Sequence, residues 1–237
     1  MKLNGFDYNE GYSENYAVES IGAYTVKTFA WMFLGLLATF GVALFGYATG
    51  TILYLFAIPY FHLLLLFAEL AVVIFLSARI HKLSIPAART LFFAYAVLNG
   101  IVFSTYFLIY GMLSLILVFA MTAVYFGGMA LYGYLTKTDL SRLRPVLIGG
   151  LIFLIVFGLL SLFIPMAGVE RVVCLIGVAI FLGFTAYDTQ KIRTYYRAYQ
   201  SDAAMLERAS ILSALQLYLD FINLFLYLLR FLGKNRK

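Results

Sequence analysis

Apolar residues run through this chain in long unbroken stretches. No Asp, Glu, Lys or Arg occurs at positions 28–68, 90–136 or 145–169. A membrane barrel would alternate apolar and polar residues in stretches of about ten, whereas membrane-crossing helices need unbroken runs of roughly 17–25. The pattern is that of a helical chain, and each of the first two runs is long enough for two spans. Divided at its turn signals, the chain predicts seven spans at 26–47, 53–78, 89–109, 113–135, 145–164, 172–188 and 211–232. The breaks fall at Ala48-Thr49-Gly50, Ser84-Ile85-Pro86, Tyr110-Gly111 and Ile164-Pro165, where Gly and Pro interrupt helices.

Composition agrees with the pattern. Of 237 residues, 64% are hydrophobic and only 12% charged, against about half and about a quarter in soluble chains, so this one cannot cover itself with a polar surface. Disordered chains, secreted disulfide scaffolds and ordinary cytosolic enzymes are excluded, since polar residues are too few and Cys174 is the one cysteine. Residues 1–20, with Asp7, Glu10, Glu14 and Glu19, read as a flexible acidic cytosolic tail rather than a signal peptide, which needs a basic start and an apolar run. Residues 21–233 form the transmembrane domain and 234–237 a basic tail.

Charge sets the expected orientation, because cytoplasmic loops collect Lys and Arg. Alternating crossings put Lys2, Lys27, Arg79, Lys82, Arg89, Lys137, Arg142, Arg144, Lys191, Arg193, Arg197 and Arg208 on one side, against Arg171 alone in the first three loops of the other. The N-terminus is therefore expected in the cytoplasm, in a multi-pass protein of the cell (inner or plasma) membrane. Strict alternation places the basic C-terminal tail outside. A full crossing by 211–232 is preferred to a re-entrant hairpin, because its length spans the hydrocarbon core.

Ionisable groups inside spans cost several kcal/mol, so they face protein or water and are functional candidates by default. Asp220 is uncharged company's exception: positions 209–219 and 221–229 around it carry no charge. Gln216, Asp220, Asn223 and Tyr227 follow at steps of four, three and four and share one helical face. Asp220 is either functional or a protonated tie between helices. Asp188 closes the sixth span, as a functional carboxylate or a wetted helix end. Glu69, inside the second span, can stay neutral, pair with a base or help bind a cation. Arg79 ends that span and either pairs or snorkels to the headgroups. Tyr and Phe are expected mainly on lipid-facing and interfacial positions.

Enzyme chemistry finds no support: there is no zinc-helix, phosphate-loop, nucleophile-elbow or CxxC motif. Two aspartates in successive spans resemble an intramembrane aspartyl protease, but Leu217-Tyr218-Leu219 stands where that class has Gly-x-Gly before its second Asp.

The stretch Tyr187-Asp188-Thr189-Gln190 and the stretch Leu217-Tyr218-Leu219-Asp220-Phe221-Ile222-Asn223-Leu224-Phe225 together resemble bacterial members of the Bax inhibitor-1 family, also called the transmembrane Bax inhibitor motif family. The resemblance covers roughly residues 19–233. It implies an all-α integral membrane protein, six helices surrounding a central C-terminal seventh, acting as a passive, pH-sensitive calcium leak. It further implies that Asp188 and Asp220 share a proton as the pH sensor, that Arg79 latches onto Asp188, and that Glu69 matches an acidic position of the second helix. Asn223 joins Glu69 as an ion-pathway candidate. Two carboxylates in one low-dielectric site cannot both ionise cheaply and titrate as a unit, and when ionised Asp188 and Asp220 offer the hard oxygens that calcium prefers. Calcium here is the transported ion, with no cofactor, and the partners are the bilayer, calcium and protons, with no nucleic acid. The competing readings are a regulatory membrane protein that binds a membrane protease or a stress or cell-death partner without transporting anything, and a proton-coupled transporter.

Overall fold

The computed structural model describes residues 19–161, 163–164 and 168–233. Most of the acidic tail and all of the basic tail at 234–237 lie outside the described residues. Among them the chain forms eight α-helices and no strand: α1 Ile21–Ala48, α2 Thr51–Phe56, α3 Phe61–Arg79, α4 Ile85–Ile109, α5 Met112–Leu135, α6 Arg144–Ser161, α7 Glu170–Tyr199 and α8 Ala203–Leu232. All but α2 belong to segments long and apolar enough to cross a membrane. The expected seven crossings are present.

Helix starts follow local capping chemistry. Ser20 accepts from Ala23 N at 3.2 Å to start α1, and Ser84 accepts from Ala87 N at 3.3 Å to start α4, with Pro86 in its first turn. The expected second span at 53–78 is corrected. It begins only at Phe61, because Pro59 lacks an N–H and disfavours a helical residue before it. Tyr60 then turns the chain in the left-handed region at φ 61°, and residues 51–56 form the separate short α2. The sixth and seventh spans are corrected as well. α7 continues eleven residues past Asp188, and α8 begins eight residues before position 211. Only residues 200–202 separate them, and Asp202 caps α8 by accepting from Met205 N at 2.9 Å. Thirty residues make about 45 Å of helix against a hydrocarbon core of about 30 Å, so both helices extend beyond the apolar layer.

α8 is the central helix. Its buried positions, among them Leu217, Tyr218, Asp220, Phe221, Leu224 and Phe225, cover most of its circumference, leaving a half-buried stripe through Leu212, Gln216, Leu219, Asn223 and Leu226, close to what a helix enclosed by others requires. It packs directly against α1, α4, α5 and α7, while α3 packs on α4 and α6 on α7, so the surround has an inner and an outer rank.

Aromatic residues are corrected in part. Phe33, Phe45, Tyr54 and Phe67 are exposed as expected, but a second population encloses α8. Phe225 lies among Phe40, Phe103 and Phe119 at 5.6–6.3 Å, Phe221 between Phe119 and Phe126, both at 5.4 Å, and Tyr218 against Phe92 and Tyr95 at 6.0 and 5.8 Å. Such edge and stacked pairs contribute about 0.5–1.5 kcal/mol each beyond burial.

The ends of the helices divide cleanly. Gly233, after α8, lies against the Tyr110 ring at the end of α4. The opposite face gathers the 80–84 and 136–143 connections and residues 200–202, tied by Arg208 to His81 O at 3.4 Å and by Arg89 to Glu207 at 2.7 Å. α8 therefore crosses the whole molecule and does not return.

Candidate functional site

Asp188 on α7 and Asp220 on α8 are both buried, with 7% and 4% of their surfaces exposed. α7 and α8 form a long antiparallel hairpin, and it brings the two carboxylates close enough for the charge of Asp188 to act on Asp220. Asp188 is not a wetted helix end, since α7 carries on through it for three more turns. The extension is charged and polar, with Lys191, Arg193 and Arg197, so it lies outside the apolar layer while remaining helical.

Each carboxylate has a different environment. Asp188 Oδ1 lies 3.7 Å from Lys191 Nζ, one turn along the same helix. Lys191 Nζ also donates to Gln216 Oε1 of α8 at 3.4 Å and sits 5.1 Å from the Tyr195 ring, so it bridges the hairpin. Arg144, at the start of α6, adds a second positive charge acting on Asp188. Asp220 has no such contact: its Oδ2 is enclosed without a hydrogen-bond partner, as are the hydroxyls of Thr189 and Ser213 among the described residues. Asp220 feels Asp188 and Lys191 through space. The site is thus an acidic pair with one cation in contact, Lys191, held to one member, and a second, Arg144, acting on that member from further away.

Other expected site residues are placed as follows. Arg79 is exposed at the end of α3 and forms no ion pair among the described residues, so this conformation does not bring it to Asp188; Lys191 stands there instead. Asn223 turns back on its own helix, donating to Leu219 O at 2.8 Å. Tyr227, next along that face, stacks on Phe181 at 5.8 Å and floors a cavity of about 530 Å³ lined by Tyr110, Cys174, Glu170, Arg171 and Arg230 at the face away from the basic loops.

Glu69 belongs to a second polar group across α8. Its Oε1 is enclosed without a hydrogen-bond partner, and its charge acts on the Tyr95 and Tyr218 hydroxyls. Tyr218 OH lies 2.6 Å from Thr39 Oγ1, which is 2.9 Å from Ala96 O. Because a carbonyl only accepts, Thr39 donates to it and Tyr218 donates to Thr39. Tyr218 and Asp220 are two residues apart and so point to opposite sides of α8. The sequence signal for Tyr218 was its place beside Asp220; nothing distinguished Thr39 from other span hydroxyls.

Gln190, the last residue of Tyr187-Asp188-Thr189-Gln190, has a structural task. Its amide donates to Thr138 O at 2.8 Å and accepts from Leu140 N at 2.9 Å, which pins the α5–α6 connection to α7. Among the described residues no cluster of three or more His, Cys, Asp or Glu could hold a metal.

Comparison with known proteins agrees with this architecture. The family model described as "Inhibitor of apoptosis-promoting Bax1" matches residues 22–237. Inner membrane protein YbhL of Escherichia coli (strain K12) is 41% identical over 215 residues, covering 90% of this chain and 92% of that protein. An uncharacterized protein of Borreliella burgdorferi is 38% identical over 219 residues, with 90% and 92% coverage, and the uncharacterized protein RP147 of Rickettsia prowazekii is 36% identical over 218 residues, with 92% of each. Seven spans with α8 at their centre, the two signature stretches and these full-length similarities make this chain a multi-pass membrane protein of the Bax inhibitor-1 family.

Proposed function

We propose that the protein is a pH-sensitive passive calcium leak, not an enzyme, in the cell (inner) membrane, with its N-terminus in the cytoplasm. Asp188 and Asp220 are its proton-sharing sensor. The observation that carries this reading is the pair itself: two buried carboxylates on adjacent helices, one with an oxygen left without a partner. Two like charges in a low-dielectric site share a proton, and the state of that proton changes with pH. When the pair is ionised, its oxygens suit calcium, but two carboxylates fall short of the six to eight oxygens of a resident calcium site. That shortfall fits an ion in transit. Lys191 neutralises Asp188 in this conformation, and Arg79 enters as its alternative counter-ion, engaged when the end of α3 approaches α7. Glu69 and Asn223 are the further pathway candidates. The acidic and basic tails are proposed as cytosolic and external extensions of one transmembrane domain.

The orientation is supported by the gathering of basic residues at one face. The function is tested by reconstituting the purified protein in liposomes loaded with a calcium indicator. Calcium entry should vary between mildly acidic and mildly basic pH, and Asp188→Asn and Asp220→Asn should each remove that dependence. Flux and pH response unchanged in both variants would sink the proposal.

A further inference from the structure

On the face with the basic loops, three cations are neutralised where helices pack. Lys27 meets Glu19 and Glu207 at 2.6 and 2.9 Å, Arg89 meets Glu207 at 2.7 Å, and Lys191 meets Asp188 at 3.7 Å. One cavity on this face collects three further cations. It measures about 370 Å³, lies between the α5–α6 connection and α7, and is lined by Thr136, Lys137, Asp139, Gln190, Arg193 and Arg197. Its three cations form no ion pair among the described residues.

The carboxylate on its rim is occupied elsewhere. Asp139 Oδ1 accepts from Ser141 N at 2.9 Å and Oδ2 from the Ser141 hydroxyl at 2.8 Å. These bonds, with a smaller contribution from the Arg142 charge, hold its carboxyl below the usual carboxylate range, and neither bond goes to Arg193 or Arg197. The walls are fixed by hydrogen bonds. Gln190 clamps Thr138 and Leu140, and Arg193 Nη2 donates to Gly133 O at 3.3 Å and Thr136 O at 3.0 Å. A guanidinium has five N–H donors, so Arg193 is anchored through one nitrogen and keeps Nη1 and Nε for another acceptor.

The cavity also lies just past the end of α5, where the chain leaves its apolar run. Between spans on a basic face, such a concavity suits an acceptor with several oxygens and more than one negative charge to share among Lys and Arg. We infer that this cavity is an anion site for a phosphate group, held by Lys137, Arg193 and Arg197, whose source is either an anionic lipid headgroup of the adjoining leaflet or phosphate in solution.

The test uses the full chain, delipidated in a neutral detergent and titrated with phosphatidylglycerol, phosphatidylcholine or inorganic phosphate, with binding read by native mass spectrometry and thermal shift. Phosphatidylglycerol should bind in preference to phosphatidylcholine if the source is lipid, and inorganic phosphate should compete with it if the source is solution. In either case Lys137→Gln with Arg197→Gln, both exposed positions that leave the Arg193 anchor intact, should weaken binding by about fivefold per charge removed. Asp139→Asn keeps the cap on the following turn and removes the opposing charge, so binding should tighten, a gain that a merely damaged fold would not give. Equal binding of the two lipids with no effect of phosphate, or affinity unchanged in the double variant, would overturn the site.

Discussion

At the scale of single residues, the acidic pair is asymmetric, and the asymmetry is measurable. Lys191 holds Asp188 at 3.7 Å and reaches Gln216 across the hairpin, whereas Asp220 Oδ2 has no partner. Removing Lys191 leaves Asp188 buried beside Asp220 with one positive charge fewer. An uncompensated buried polar or charged group costs about 1–3 kcal/mol or more. Lys191→Gln should therefore lower thermal stability in detergent at neutral pH by about that amount, and Asp188→Asn in the same chain should restore most of it. Additive losses in the double-variant cycle would show that the contact carries no energy. Asp188 and Asp220 were legible in the sequence because a charge inside an apolar run is conspicuous. Lys191 was not, since a lysine three residues after an aspartate looks like any wetted helix end until the helix is seen to continue. Arg79 was legible as a charge at a span boundary, but its side chain is exposed in this conformation, and no spacing along the chain reports how far one helix end stands from another.

At the scale of the element, the α7–α8 hairpin depends on close approach. A side chain at Gly177 of α7 would place its first carbon 2.6 Å from Cγ of Tyr227, near the base of the ring, where rotation cannot clear it. Glycine inside a helix ordinarily costs about 0.5–1 kcal/mol relative to alanine. Gly177→Ala is therefore expected to stabilise an isolated helix, yet here it should destabilise the protein by about 1–3 kcal/mol through overpacking. Thermal unfolding gives the sign directly, and pairing the change with Tyr227→Ala should remove the penalty specific to the clash. The hairpin also shows why spans were easier to read than helices. Hydropathy marks where the chain lies in hydrocarbon, so it found 172–188 and 211–232, but it is blind to the polar helical turns at 189–199 and 203–210. Pro59 was the opposite case, a strong backbone signal submerged in a run of apolar residues.

Across the whole molecule, the two ends differ in chemistry, and that difference fixes the orientation to be tested. One end carries Lys82, Arg89, Lys137, Arg142, Arg144, Arg193, Arg197 and Arg208; the other carries the cavity bounded by Tyr110, Glu170, Arg171 and Arg230. Because α8 crosses fully, its end at Gly233 belongs to this second face despite the basic residues that follow. Cys174 lines the same cavity and is the one cysteine of the chain, so the native protein carries its own reporter. In bacterial cells expressing the protein, a small membrane-impermeant thiol reagent added outside the inner membrane should modify Cys174, slowly because it is 7% exposed. In a Cys174→Ser chain, Ser201→Cys in the α7–α8 connection should stay unmodified until the membrane is permeabilised. The reverse pattern would place the basic loops outside and invert the topology.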